Sequence, residues 1–215
     1  MGDIAVIEDD GTILTKANAF DLKGTGLRFR PTGTSTVEVT KIDGAFRASL
    51  GSRLNFGDDD SSRVAVSSAI TFAGKRYDTA FVNSDGNITF EEADTSSSAR
   101  SVGRLVSGPP RVAAFFSDLD PSAGGRVFSN PSAEGLTVTW CSVPAFESSD
   151  VVTVQATVLV DGSVELKFGD TFTLSDGVVG VGPGRGATFA PVDLSVGAST
   201  GPAVGETFAR DSELD

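Results

Sequence analysis

Short runs of alternating hydrophobic and polar residues, separated by turn-forming residues, extend over most of the chain. The segments LRFRP (27–31) and STVEVTKI (35–42) place an apolar side chain at about every second position. A period of two indicates a β-strand with one buried face and one solvent-facing side. Further strands are predicted at residues 63–70, 77–82, 88–90, 111–116, 136–143, 151–160, 163–168 and 178–181.

Turn signals between these runs predict hairpins. Asp9, Asp10 and Gly11 lie between two short apolar runs, and an Asp-Gly pair suits the tight turns of hairpins. Asp161-Gly162 predicts the second turn of a three-stranded meander over residues 136–168. Residues 111–116 are almost wholly apolar, which favours a central strand that is buried on both faces.

One short helix is predicted in SSSARSVGRLV (96–106), with Asp94 as its N-cap and Gly108 among the residues that end it. We expect this helix to close one open end of the fold. The strand spacing predicts an all-β fold, a two-sheet antiparallel β-sandwich with jelly-roll or Greek-key-like connections. Residues 1–195 are predicted to form this single domain, and the Gly- and Pro-rich residues 196–215 an extended tail or linker.

Charge and composition narrow the function. The net charge of −12 would repel a phosphate backbone, so we expect no nucleic-acid partner. No segment approaches the about 20 apolar residues that span a bilayer, and the acidic first residues are unlike a signal peptide. Cys141 is the single cysteine and is expected to be half-buried, and the chain has no histidine.

Catalysis has little support in the sequence. Without histidine, no Ser-His-Asp or Cys-His arrangement can form, and a typical zinc site is also excluded. A glycosidase with paired carboxylates stays formally open, with Glu91 and Glu165 as examples, but both residues are expected on solvent-facing positions of strands. We therefore expect a protein that is not an enzyme.

Two motifs carry a family resemblance. The first, FAGKRYDTAFVNSDGNITF, runs from Phe72 to Phe90, and the second, PRVAAFFSDLDPSAGG, from Pro110 to Gly125. Together with the later segments LTVTWCSVPAF and VTVQATVLVDGSVELKFGD, they resemble the nidogen-like extracellular β-domain, which is also found near the start of large secreted bacterial proteins. The resemblance covers residues 67–182 as a core, and residues 1–66 match loosely.

The resemblance implies an extracellular, non-catalytic module that is associated with adhesion or matrix contact. It also implies a secreted or cell-surface location, although a signal peptide is absent from this chain. Where many relatives carry Trp before the D-L-D triplet, this chain has Phe116-Ser117.

Clustered aspartates form the first candidate site. Asp118 and Asp120 flank Leu119, so on an extended backbone both carboxylates point to the same side, while Asp58, Asp59 and Asp60 are adjacent. Repulsion between such carboxylates is relieved by a cation, and Ca²⁺ takes six to eight oxygen ligands. The five residues are a candidate calcium site if the two loops meet. The alternative is that the aspartates cap turns or face solvent.

Asn83, Asp85 and Asn87 form the second candidate site, a binding loop between two strands. An EF-hand is rejected because the twelfth position of this loop holds Asp94 rather than glutamate. A plain hairpin turn is the alternative. Asn87-Ile88-Thr89 also matches the acceptor pattern for N-glycosylation.

The sequence favours a binding or adhesion module of a larger secreted or surface protein, stabilised by calcium, whose loops contact an extracellular protein or a glycan. One alternative is a structural subunit that assembles with other copies of itself into a filament or surface layer. It would use strand edges or the terminal segments IAVI (4–7) and ATFAPVDLSVG (187–197). Another alternative is a carbohydrate-binding module, for which Trp140 and Tyr77 are the available non-phenylalanine aromatics.

Overall fold

The computed structural model describes residues 18–33, 36–196 and 199–209. The predicted hairpin around Asp9, Asp10 and Gly11 lies outside these residues, as does the terminal segment 4–7. Fifteen strands and one helix form the described fold. In chain order they are β1 (Thr25–Pro31), β2 (Val37–Asp43), β3 (Ser52–Leu54), β4 (Ser61–Phe72), β5 (Lys75–Asn83), β6 (Asn87–Thr89), α1 (Val102–Ser107), β7 (Arg111–Phe116), β8 (Arg126–Ser132), β9 (Gly135–Pro144), β10 (Val151–Leu159), β11 (Val164–Phe168), β12 (Gly177–Gly182), β13 (Phe189–Pro191), β14 (Ser199–Gly201) and β15 (Ala203–Phe208).

Two sheets pack face to face, which confirms the predicted β-sandwich. One sheet has eight strands in the order β14-β2-β1-β11-β10-β9-β8-β3, and the other has seven in the order β13-β15-β12-β7-β6-β5-β4. All neighbouring strands are antiparallel except β13 and β15. The core between the sheets contains Trp140, Phe115, Phe168 and Ile88, each fully buried. Burial of these large side chains is the main favourable contribution to folding.

The central strand β7 and the meander form as the sequence predicts. β7 lies between β6 and β12, and all six of its residues are buried. β9, β10 and β11 pair in succession, with the tight turn at Asp161-Gly162 between the last two. These elements depend on hydrophobic runs and turn residues that are close in sequence, which is why the pattern locates them.

The helix differs from the prediction in its start and in its place. Ser101 is the N-cap, and its hydroxyl accepts a hydrogen bond from the Arg104 amide. Leu105 packs against Phe116 and Val178 in a small cluster separate from the main core. The helix therefore covers the outer face of the seven-stranded sheet and does not close an end of the sandwich. Asp94 is not the cap because the helix begins only at Val102, and its carboxylate instead pairs with Arg104 and Arg111.

The described part of the predicted tail is folded, so that prediction is wrong for residues 199–208. β15 lies between β12 and β13, and its residues Val204 and Phe208 are buried. A Cβ at Gly205 would lie 2.5 Å from the Val179 carbonyl oxygen. Glycine at this position permits close packing of two strands. The glycine content of the segment, which is typical of a linker, therefore reflects strand packing here. Residues 210–215 lie outside the described part.

Both ends of the described chain meet beside β15. Asn18 and Ala209 form an isolated antiparallel bridge, with N–H to O distances of 3.1 and 3.0 Å. The Asn18 side chain also donates to the Thr207 carbonyl and to the Glu206 carboxylate. The first and last described residues therefore lie side by side on the domain.

Gly86 tests how tightly the strand ends pack. Its φ is +68°, and a Cβ would lie 2.1 Å from the Phe115 carbonyl oxygen. We expect Gly86→Ala to lower the free energy of unfolding by about 1–3 kcal/mol through overpacking, in addition to the cost of a positive φ. Gly186→Ala is the matched control, since Gly186 has φ +78° and nothing lies within 4 Å of its Cβ position. Urea unfolding, followed by Trp140 fluorescence, measures both. Equal losses for the two variants would contradict the predicted clash.

Candidate functional site

The two aspartate clusters that are distant in sequence lie at the same end of the sandwich. Carboxylate oxygens of Asp58, Asp59 and Asp118 all lie within 4.8 Å of one another. Asp120 is close enough for its charge to act on Asp58. We call Asp58, Asp59, Asp118 and Asp120, together with Arg100, the acidic end. The structure thus meets the condition under which these loops could share a cation.

A guanidinium already lies between these carboxylates. Arg100 Nη2 is 2.5 Å from Asp59 Oδ1 and 2.8 Å from Asp118 Oδ1, and its Nε is 2.8 Å from Asp85 Oδ2. The Arg100 side chain is only 7% exposed, whereas that of Asp118 is 48% exposed. Arg100 therefore connects three loops, through charge-assisted hydrogen bonds to Asp59 and Asp85 and an ion pair with Asp118. Sequence reasoning missed this residue because a lone arginine in a Ser-rich segment has the pattern of a solvated loop.

The acidic end keeps an excess of negative charge. Partial burial, followed by the charges of Asp59, Asp120 and Asp118, raises the pKa of Asp58. No ion pair joins Asp58 to a basic residue in the described part of the chain. Arg100 supplies one positive charge against four carboxylates here and Asp85 behind them. A cation from outside would therefore be attracted to this end.

Two of the five predicted metal ligands have a local role. The Asp60 carboxylate accepts the amides of Gly57, at 3.1 Å, and Ser61, at 2.8 Å. Asp120 Oδ1 accepts the amide of Ser122 at 2.8 Å and its hydroxyl. These contacts match the turn-capping alternative. Asp58, Asp59 and Asp118 are the three residues that the structure brings into ligand distance of one another.

The predicted binding loop is buried, so the prediction that it contacts a partner is wrong. Asn83 and Asn87 have no exposed surface, and Asp85 is 3% exposed. Asn83 Nδ2 donates to Asn87 Oδ1 at 2.9 Å, and the Trp140 indole on the opposite sheet donates to the Asn83 carbonyl at 3.1 Å. The hairpin turn is therefore a structural element between the sheets. Burial of Asn87 also removes it as a glycosylation site in the folded domain.

A second charged network supports this turn from the side of the helix. Arg111 donates to Asn87 Oδ1 at 2.6 Å and to Asp94 Oδ2 at 2.5 Å, and Arg104 binds the other oxygen of Asp94. Burial would raise the pKa of Asp94, but Arg111 and Arg104 lower it below its usual value. The two guanidinium carbons lie 4.6 and 5.0 Å from the centre of the buried Phe116 ring. Phe116 thus packs in the fold and offers no exposed aromatic surface.

Glu91 and Glu165 are not brought together as a carboxylate pair. Glu165 belongs to β11 of the eight-stranded sheet, whereas Glu91 follows β6 of the other sheet. Glu91 accepts Lys75 Nζ and the Tyr77 hydroxyl, each at 3.0 Å, and also pairs with Arg185. The hydrogen bond from Lys75 is the largest of the causes that lower the pKa of Glu91.

The prediction that Glu165 faces solvent is wrong. Glu165 is 5% exposed and pairs with Arg28 and Arg47. Burial would raise its pKa, but these two arginines lower it. The segment between β2 and β3 crosses the outer face of the sheet here, as the 2.7 Å hydrogen bond from the Arg47 amide to Gln155 Oε1 shows. Sequence alternation cannot reveal a segment that covers the outer face of a sheet.

The aromatic residues available for sugar stacking are largely enclosed. Trp140 is fully buried, and Tyr77 is tilted against Phe90, 4.8 Å between ring centres. Partial burial and the hydrogen bond to Glu91 raise the pKa of Tyr77 to about 12. Cys141 is half-buried, as expected from its position on β9.

The described residues thus form a two-sheet β-sandwich domain with a buried polar turn and an acidic end. Comparison with protein families matches residues 32–203 to the family described as NIDO related. The chain belongs to this family, which confirms the resemblance of its motifs. Comparison with curated proteins and with solved structures gives no match. Family membership indicates an extracellular module. Separately, no helix in the described part is long and apolar enough to cross a membrane.

Asp85 provides a test of the electrostatics behind the acidic end. Burial raises its pKa to about 6, although Arg100 opposes this shift. Because the folded state then holds the proton more tightly than the unfolded chain, this contribution to stability is complete below about pH 4 and is lost as the pH rises through 6. We expect the free energy of unfolding to fall by roughly 2–3 kcal/mol over this window through Asp85.

Urea unfolding between pH 3.5 and pH 7.5, compared with Asp85→Asn, measures this loss, and the ¹³C chemical shift of the Asp85 carboxyl gives its pKa directly. The variant should lack the Asp85 part of the pH dependence. A carboxyl that titrates at or below pH 4 in the folded protein would overturn the prediction.

Proposed function

We propose that this chain is a non-catalytic binding or adhesion module of a larger secreted or surface protein, and that its acidic end contacts the partner. One observation carries the proposal: Arg100 holds the loops of Asp59, Asp85 and Asp118 together while Asp58 and Asp118 stay accessible. Carboxylates in fixed positions lose little conformational freedom on binding, so they form a preorganised contact surface.

The charge of this surface suits a basic partner. The chain carries a net charge of −12, and the acidic end adds a local excess of carboxylates. Complementary charge speeds the encounter of two proteins and fixes their orientation. The partner class that fits is an extracellular protein with a Lys- or Arg-rich face, or a glycan that binds through a bridging cation.

A panel of purified extracellular matrix proteins and surface glycans, read by biolayer interferometry, tests the contact surface. We expect a bound partner to lose about tenfold or more in affinity when Asp58→Asn and Asp118→Asn are combined, as for a hot spot of at least 1.4 kcal/mol. Asp21→Asn with Asp78→Asn is the matched control, because both side chains belong to exposed residues elsewhere on the chain. A partner that binds both variants equally would place the contact surface elsewhere and contradict the proposal.

Calcium at the acidic end is the second part of the proposal. Ligand oxygens lie 2.3–2.6 Å from Ca²⁺, so two ligands of one ion are at most about 5 Å apart. The separation within 4.8 Å of the oxygens of Asp58, Asp59 and Asp118 fits this limit. Arg100 competes for two of these three carboxylates, so a bound ion would have to share them with the guanidinium.

Calorimetric titration of chelator-treated protein with calcium tests this part. We expect saturable heat with a Kd on the order of 0.1–1 mM, typical of extracellular modules. Calcium at roughly ten times Kd should add about 1.4 kcal/mol to the free energy of unfolding. Asp58→Asn with Asp118→Asn should abolish the heat, and the Asp21→Asn, Asp78→Asn control should keep it.

Arg100→Gln sharpens the calcium experiment. The variant removes the competing guanidinium, so it should be less stable than the wild type in chelator and recover more stability when calcium is added. The absence of heat in the wild type and of any calcium-dependent recovery in Arg100→Gln would contradict a calcium site. The acidic end would then serve a basic partner alone.

Self-assembly into a filament or surface layer remains the alternative function. Of its proposed pairing segments, 187–197 contains β13, which pairs with β15 on one side and forms an edge of the seven-stranded sheet. Segment 4–7 lies outside the described residues. The light-scattering mass of the protein at high concentration, with and without calcium, tests this alternative, and a strict monomer would count against it. Of the two aromatics predicted for a sugar-binding role, Trp140 is buried and Tyr77 is half-buried, whereas Phe146 is exposed.

A further inference from the structure

An apolar cleft lies at the end of the sandwich opposite the acidic end. β4 begins at Ser61, next to the acidic end, and runs the length of the sheet to Phe72, which lines the cleft. The turn between β4 and β5 forms one wall, and the Asp161-Gly162 turn forms another. The cleft has a volume of about 460 Å³, within the range of ligand-binding sites in proteins.

Its lining is apolar with a single charge. Seven apolar side chains contribute to it: Pro31, Val37, Phe72, Ala73, Val181, Pro183 and Pro202. Among the described residues that line the cleft, Asp161 alone is charged. Two threonines, Thr36 and Thr71, add hydroxyl groups. This composition favours an apolar group that has a positive charge beside it.

Backbone contacts join two walls of the cleft, β4 and the Asp161-Gly162 turn. The Thr71 amide donates to the Val160 carbonyl at 2.9 Å, which ties β4 to the neighbouring turn. A Cβ on Gly162 would lie 2.1 Å from the Thr71 carbonyl oxygen, so the turn touches β4 directly. The Asp161 carboxylate accepts the amide and the hydroxyl of Ser163, at 2.9 and 3.2 Å, which holds the carboxylate in place. Contacts of this kind, together with the prolines of the lining, lower the conformational entropy that is lost when the cleft is filled.

We propose that the cleft binds an aliphatic side chain of an extended partner segment, with an adjacent Lys or Arg of that segment beside Asp161. Charge complementarity argues for this occupant, because the cleft offers one carboxylate and no described basic side chain on a protein of net charge −12. The apolar lining supplies affinity through burial, and Asp161 supplies the preference for a basic neighbour. This site goes beyond the proposed function, since it uses none of the residues of the acidic end.

Titration of ¹⁵N-labelled protein with three blocked peptides of equal length tests the proposal. The peptides carry Leu-Lys, Leu-Glu and Ser-Lys at their centre. We expect Leu-Lys to shift the amide signals of Gly74, Gly162 and Gly182, and to bind about two- to fivefold more tightly than Leu-Glu, as an exposed ion pair allows. Ser-Lys should leave these signals unchanged, because the apolar contact is lost.

Variants separate the two contributions. Thr71→Phe should fill the cleft and abolish the shifts, while Thr40→Phe, at another exposed strand position outside the lining, should preserve them. Asp161→Asn should retain binding of Leu-Lys but remove its advantage over Leu-Glu. This variant tests the proposal independently if Thr71→Phe fails to fold.

Three outcomes overturn the proposal. The first two are no shifts at the cleft with Leu-Lys, and equal binding of Leu-Lys and Leu-Glu to the wild type. The third is that isobutanol alone causes the same shifts as Leu-Lys, which would indicate a small apolar ligand. The combined Asp58→Asn, Asp118→Asn variant should behave as the wild type in this titration. Loss of the acidic-end function and loss of the cleft site are thereby distinguishable.

Discussion

Burial of the polar turn at residues 83–87 is the constraint on which one end of this molecule depends. A buried polar group without a partner costs about 1–3 kcal/mol, so each polar atom of the turn needs one. The partners come from far along the chain: Arg111 binds Asn87, Arg100 binds Asp85, and Trp140 reaches from the other sheet to the Asn83 carbonyl. These contacts join the two sheets by directional bonds as well as by apolar packing. The surrounding loops are positioned as a consequence.

The acidic end follows from this arrangement. Because Arg100 reaches inward to Asp85, its guanidinium also lies within hydrogen-bonding distance of Asp59 and Asp118. The buried guanidinium of Arg100 therefore holds carboxylates from separate loops in place and limits the repulsion between them. Structure and surface chemistry are coupled here, since a change at Arg100 affects both the support of the buried turn and the charge presented to solvent.

The sequence predicts the features that depend on neighbouring residues. Hydrophobic runs and turn residues locate β7, the meander and the two-sheet architecture, and the paired motifs identify the family. The sequence does not predict features that depend on contacts between residues distant along the chain. The burial of Asn83 and Asn87 needs Arg111 and Trp140, and the burial of Glu165 needs a segment that crosses the sheet. The Gly-rich composition around β15 is typical of a linker, and the sequence alone does not show that Gly205 packs against Val179.

The bridge between Asn18 and Ala209 has a mechanical consequence. In a hydrogen-bonded antiparallel pair the two Cα atoms are about 5.5 Å apart, so polypeptide leaving both sides of the domain departs from nearly one point. Tension applied through those two flanks would pull the bridged strands apart one hydrogen bond at a time, rather than shear many bonds together. A domain attached in this way adds almost no length to a chain under load. Under such a load the domain would lie to one side of the stretched chain, and its surfaces opposite the bridge would carry no force.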